Sequence, residues 1–233
     1  MGQYQGESVL LICGSLPSGF KGESVELGTL SSILCRSAPE NIRALQRFFP
    51  YTVPSSPRGH AMTIGLGDRL GLITGAHIQA LAGSRAFPVL AQQSKRELSL
   101  TGRSNREMLD SVAWQVFESG YEGGYAADGD HLKTLEEVQS AIDDGDTMIT
   151  LDCSEHINNT AAFISPEEAG KQCGMFFPSR LLKQWNSSYA GNHIPLDKHY
   201  EIYFSQNMLN TLYLMYGNMI DFVERVYKEV IQT

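Results

Sequence analysis

The segment Gly123–His156, GGYAADGDHLKTLEEVQSAIDDGDTMITLDCSEH, twice places a tight group of acid, base and ligand side chains directly after an apolar run. The first group is Asp128, Asp130, His131 and Lys133; the second is Asp152, Glu155 and His156. A neutral imidazole binds a divalent metal, a neighbouring carboxylate takes a proton, and an ammonium polarises a carbonyl or stabilises an oxyanion. On this chemistry His131 is the candidate metal ligand, and Asp130, Lys133 and Asp152 are the candidate catalytic groups. A second reading of the same residues is structural: Asp128 and Asp130 shape a turn that leads into a helix cap at Thr134, and Glu155 and His156 are solvated.

Two earlier segments offer groups that suit a substrate. In GLGDRLG, Arg69 can grip a carboxylate through its planar fork, or pair with Asp68 at the surface. The glycines do not match a dinucleotide loop, because three residues separate the second from the third where that fingerprint has two. In AQQSKRE, Gln92, Gln93, Ser94 and Arg96 follow the apolar run FPVL; amides and hydroxyls both donate and accept, which suits sugar hydroxyls. A catalytic metal takes about three protein ligands. The chain has six histidines, contains no HExxH pair, and spaces His193 and His199 by six residues, so the sequence offers few local companions for His131.

The elements that must hold these groups follow from periodicity and capping. Ser8–Cys13 reads as a buried strand, 19–29 as a Gly-rich stretch without helical spacing, and Pro39–Phe49 as a helix. Prolines and serines in Tyr51–Pro57 suggest a linker, which divides the chain into an extension over 1–57 and a main body over 58–233. In that body MTIGLG precedes a helix near His77–Gly83, FPVLAQ precedes one over Asn105–Ser119, and GGYAAD precedes one after Thr134; TMITLD comes next. Ser104 with Glu107, Thr134 with Glu137, and Ser165 with Glu168 have the spacing of capping boxes, the last with Pro166 at the first helical position. Alternating strands and helices predict an α/β fold built on a parallel sheet. Reactive groups at several consecutive strand ends suit a TIM-barrel-like rim, where every loop after a strand faces one site.

Composition narrows the partners. A net charge of −8 with no basic stripe argues against nucleic acid. No apolar stretch nears the roughly 20 residues of a membrane span, and no secretion signal opens the chain, so a cytoplasmic location is expected. Four scattered cysteines without a CxxC pair read as reduced thiols.

GLGDRLG, AQQSKRELSLTGRS, MLDSVAWQVFESGYEGGYAADGDHLKT and TMITLDCSEHI resemble, in the same order, the tagaturonate epimerases of uronate catabolism. The resemblance spans Gly65 to Ile157 and is clearest in DGDHLK and DCSEH. It implies a metal-dependent TIM-barrel enzyme that interconverts tagaturonate and fructuronate, or a related ketohexose pair. It also implies that Asp130 is the proton acceptor, His131 the first metal ligand and Lys133 a substrate contact. Glu155 stands where the family carries an aspartate.

In such a substrate the inverted carbon lies β to the ketone, beyond the reach of simple enolisation. A retro-aldol cleavage followed by rejoining on the other face is one route, and an oxidative one is another. Family chains are longer than this one, and a full barrel takes about 250 residues. The resemblance therefore implies an incomplete barrel, with the remaining ligands and a proton donor outside it. A second polypeptide or self-association would complete such a site. The alternatives are a remnant that binds a sugar acid without turning it over, and an unrelated α/β scaffold.

Overall fold

The computed structural model describes every residue except 5, 6, 16, 232 and 233. The chain divides into two compact units, Met1–Leu151 and Asp152–Thr233.

The first unit opens on four antiparallel strands, β1 (Gly2–Tyr4), β2 (Glu7–Cys13), β3 (Glu23–Leu27) and β4 (Leu30–Arg36), in the order β1-β2-β4-β3. The Gly-rich stretch over 19–29 thus contains a strand: Gly28, at φ 61°, turns the chain from β3 into β4. The helix expected at Pro39 forms as α1 (Pro39–Phe48). Its Ile42 and Leu45 pack with Leu10 and Cys35 of the antiparallel sheet and with Ala113 and Trp114 further along the chain. The Tyr51–Pro57 segment is tied down as well: Tyr125 donates its hydroxyl to the Thr52 carbonyl at 2.8 Å, and Ser55 N–H donates to the Tyr125 carbonyl at 2.8 Å.

The rest of this unit repeats strand and helix. β5 (Thr63–Gly65), α2 (Thr74–Ala80), β6 (Phe87–Ser94), α3 (Lys95–Thr101), α4 (Asn105–Ser119), β7 (Ala126–Leu132), α5 (Leu135–Asp144) and β8 (Met148–Leu151) follow in turn. The four strands are all parallel and lie in sequential order β5-β6-β7-β8. A doubly wound open sheet reverses its strand order at a switch point, and this one does not.

Local chemistry sets the helix boundaries. Ser104 and Glu107 form the expected reciprocal cap on α4, and Ser94 and Glu97 form another on α3. At α5 only half of the box closes: Thr134 accepts from the Glu137 N–H, while the Glu137 carboxylate takes the Lys133 N–H at 2.7 Å. Gly102, Gly120 and Gly145 end the three helices in the left-handed region.

The two faces of the parallel sheet differ. Leu90, Ala91 and Ala127 bury themselves against Leu98, Met108, Leu109, Val112 and Val116 of α3 and α4. Gly129 points the same way: a Cβ there would lie 3.0 Å from the Ala141 Cβ on α5, so glycine is what lets helix and strand approach. The opposite face begins with Phe87, Val89, Ala126 and Met148, which pack on one another. Further along the same strands it becomes polar.

The second unit contains short 3-10 turns over Ser154–His156 and Asn159–Phe163, then α6 (Pro166–Phe176), α7 (Ser179–Tyr189), β9 (His193–Pro195), β10 (Glu201–Tyr203) and α8 (Gln206–Val226). Ser165 caps α6 with Pro166 in its first turn, but only this half of the expected box forms, since the Glu168 carboxylate accepts from Gln172. Ala169 and Cys173 of α6 pack on Leu209, Tyr213 and Leu214 of α8. His193 and His199 belong to the hairpin of β9 and β10, where His193 Nδ1 lies 3.1 Å from Glu201 Oε1 and Asp197 accepts the His199 N–H at 2.6 Å. Among the described residues no helix is long and apolar enough to cross a membrane.

Candidate active site

The polar half of the open sheet face gathers one side chain from each of three strands, and β5 adds a gap. Asp128, with no exposed surface, accepts from Gln92 Nε2 at 3.1 Å and from Thr150 Oγ1 at 2.8 and 3.0 Å. Gly65 lies beside Gln92, where a Cβ would sit 3.0 Å from Gln92 Oε1. The register produces this level: Gln92 pairs with Asp128 and Ser94 with Asp130. Because strand side chains alternate with period two, Asp128 and Asp130 share a face while Gly129 turns to the helices. Burial pushes the Asp128 carboxyl up from the ordinary carboxylate range, opposed by the Thr150 and Gln92 hydrogen bonds and reinforced by Asp130.

The sequence ends a strand near Asp128 and places Asp130 and His131 beyond it, ahead of the Thr134 cap. Instead Asp128, Asp130 and His131 lie inside β7, which the structure extends to Leu132. The β7–β8 register slips between Gly129 and Leu132, and His131 sits at φ 58°, the one non-glycine residue at positive φ among those described. That bulge breaks the alternation and re-aims the imidazole. His131 Nδ1 lies 2.8 Å from Asp130 Oδ1, and the His131 side chain is 62% exposed against 12% for Asp130. A carboxylate on Nδ1 with an open ring beyond it is the arrangement that orients a metal-binding histidine. The other donors are missing: among the described residues no group of three or more His, Cys, Asp or Glu side chains could hold a metal.

The remaining candidates divide by place. Arg69 has a side chain 85% exposed and pairs through Nε with Glu97 Oε1 at 3.2 Å, not with Asp68. Asp68 is buried and fixes its own loop, accepting the N–H groups of Leu70, Gly71 and Ile73 at 3.2, 2.8 and 2.6 Å. Gln93, the buried neighbour of Gln92, donates to the Arg69 carbonyl at 2.7 Å and so ties that loop to β6. The Ser94 hydroxyl accepts the Glu97 N–H in the α3 cap, which leaves its own hydrogen to donate, and Arg96 is exposed on α3. Lys133 follows the bulge at the start of the α5 cap. Asp152 comes directly after β8, opens the second unit and accepts the Ser154 N–H at 3.0 Å. In that unit His156 stacks on Phe222 with centroids 4.2 Å apart.

Asp128, grouped with Asp130 in the sequence but given no catalytic role there, and Thr150, which the sequence did not single out, complete the polar level. Period-two spacing from Asp130 would have placed Asp128 beside it, but the bulge and the partner strands are tertiary facts.

Comparisons with known proteins point to one family. The model of the tagaturonate epimerase family matches residues 7–233. A tagaturonate/fructuronate epimerase of Thermotoga maritima is 35% identical over 229 residues, covering 94% of this chain and 45% of that protein. The native structure of a fructuronate-tagaturonate epimerase from Cohnella laeviribosi superposes with a TM-score of 0.89 at 38% identity, over 99% of this chain and 46% of that one. Its complex with one glycerol gives the same TM-score and identity. The chain thus spans about half the length of the relatives it matches.

Proposed function

The chain belongs to the tagaturonate epimerase family, and on that premise we propose that it carries the N-terminal part of a site that interconverts tagaturonate and fructuronate. The observation that carries the reading is the polar level on the open sheet face, in which Gly65, Gln92, Asp128 and Thr150 lead up to Asp130 and the bulged His131. A TIM-barrel-like architecture goes with it. Four sequential parallel strands carry helices on one face and, on the other, an apolar base that grades into polar residues, as in one arc of a barrel.

Each residue then has a task. Asp130 accepts a proton from a substrate hydroxyl and orients the His131 ring through Nδ1. Lys133 faces the negative charge that develops on substrate oxygen. Asp152 is a second carboxylate for proton transfer. Gln92 and Ser94 serve substrate hydroxyls, and Arg69 and Arg96 serve the carboxylate; Gln93 supports Arg69 through its loop. His131 is one ligand to a divalent metal, which when bound would polarise the ketone. Its companions come from outside the described residues, since these contain no three-donor group. A second polypeptide, or a second copy of the chain, would supply them. The retro-aldol route suits these residues, because it asks for a base at a hydroxyl and for stabilisation of negative oxygen.

A second reading, a sugar-acid-binding chain without turnover, is favoured by that same lack of a three-donor group. Titration calorimetry with manganese, nickel and zinc, each with and without tagaturonate, tests the site. Uronate binding that is lost in Asp130→Ala supports it, and no uronate binding under any condition refutes it.

A further inference from the structure

We propose that Asp128 and Thr150 are positioning residues that lock the Gln92 side-chain amide with its nitrogen inward, so that Gln92 Oε1 is presented as a fixed acceptor for a substrate hydroxyl. The inference rests on the reading of the open sheet face as the sugar-acid site and assigns a specificity role within it.

An amide has two faces of opposite hydrogen-bonding character, and a free one samples both. Three observations remove that freedom from Gln92. Its Nε2 is 3.1 Å from Asp128 Oδ2, and both Asp128 oxygens lie within accepting distance of the Thr150 hydroxyl, so the carboxyl acts as the acceptor and the NH2 group faces it. Asp128 is itself immobilised: it is fully buried in β7 and takes the Thr150 hydroxyl on both oxygens. On the far side the amide rests against Gly65, where a Cβ would come within 3.0 Å of Oε1 but 3.7 Å of Nε2. Oε1 is therefore directed toward β5, and it accepts no hydrogen bond among the described residues.

An acceptor fixed in this way discriminates. A ligand that offers a hydroxyl donates to it, whereas one that offers a carbonyl or a hydrogen there leaves it unpaired, at a cost in affinity. A sugar acid with a hydroxyl at that carbon is the ligand class this selects. Gly65, Gln92, Asp128 and Thr150 come one from each of the four parallel strands, so the sheet itself sets the geometry.

Two measurements on the intact chain decide the matter, one independent of substrate. In the first, the 15N side-chain amide resonances of Gln92 are assigned by their loss in Gln92→Leu. A lock predicts two well-separated amide protons that exchange slowly with solvent, with protection lost in Asp128→Ala and weakened in Thr150→Val. Fast-exchanging protons unaffected by these substitutions overturn the lock, whether or not any uronate binds.

In the second, tagaturonate binding is compared across variants. Gln92→Leu and Gly65→Ala should each weaken it about tenfold. The exchange of partners, Gln92→Glu with Asp128→Asn, keeps an N–H donating between the two positions and should recover most of the affinity lost in Asp128→Asn alone. Wild-type-like binding by Gln92→Leu overturns the specificity role. If the wild-type chain binds no tagaturonate, the functional reading falls and with it the specificity role, while the amide spectrum still decides the lock. Should Asp128→Ala fail to fold, Thr150→Val carries the same test.

Discussion

The two faces of the parallel sheet are made from the same strands and reach opposite compositions. On the helix side Leu90, Ala91 and Ala127 are buried in an apolar cluster, and Gly129 gives up its side chain so that α5 can approach. On the other side Phe87, Val89, Ala126 and Met148 form an apolar base, after which Gln92, Asp128, Thr150 and Asp130 take over. One face holds the fold together. The other holds one buried carboxylate, Asp128, among half-buried polar groups; such groups cost stability unless they are paired, and Gln92 and Thr150 pair with Asp128. The contrast separates residues that hold the helices on the sheet from residues proposed for chemistry, although the two alternate along a single strand.

The largest expected effect lies on the helix side. Leu90→Ala should cost about 3 kcal/mol in denaturant unfolding, because a fully buried side chain leaves a cavity that helices α3 and α4 cannot refill. A loss below about 1 kcal/mol would mean that this face is not the core. Gly129→Val should cost about 2 kcal/mol, since its branched side chain meets Ala141, Leu132 and Ile149, all within 3.1 Å of the added Cβ.

Asp146 is a polar intrusion between α5 and β8, hydrogen-bonded to Asn105 at the start of α4, with its Oδ1 buried and unpartnered. Burial pushes its carboxyl from 3.8 up to about 6. The folded state therefore prefers the protonated acid. The stability this contributes is complete below about pH 4 and is lost as the pH rises through about 6. Asp146→Asn should remove that decline and leave the chain about 2 kcal/mol more stable at pH 7. Unfolding curves at about pH 3.5 and about pH 7, on either side of that range, measure it. An unchanged difference between the two would refute the burial argument.

The smallest stability effect is expected at the bulge in β7. His131→Gly relieves a left-handed backbone at φ 58° but adds unfolded-state freedom, for a net gain of about 0.5 kcal/mol. It also removes the proposed metal ligand. A loss of about 1 kcal/mol would show that the imidazole itself holds the bulge together.

Much of this was legible in the sequence, for reasons that also explain the gaps. The α4 boundaries follow from Ser104, Glu107 and Gly120, all local signals, and the apolar runs FPVL and MITL lie within β6 and β8. The strand β3 was hidden because its residues ESVEL are mostly exposed and pair only with β4, a contact that no local pattern encodes. DGDHL read as a strand end and turn because Gly and Asp dominate it; the Asp128 bonds to Gln92 and Thr150, and the Gly129 contact with Ala141, draw it into the sheet. Asp68 and Arg69 looked like partners through adjacency. The carboxylate instead took three backbone N–H groups of its own loop, and the guanidinium took Glu97.

The central claim is that this chain supplies the Asp130 and His131 part of an epimerase site. Its most direct test is the interconversion of tagaturonate and fructuronate by the chain mixed with a polypeptide carrying the part of the Thermotoga maritima relative that the chain does not cover. The prediction is turnover in the mixture, none with either component alone, and loss of turnover when the chain carries His131→Gly or Asp130→Asn. A folded, associated mixture without turnover, or turnover that survives both substitutions, would contradict it.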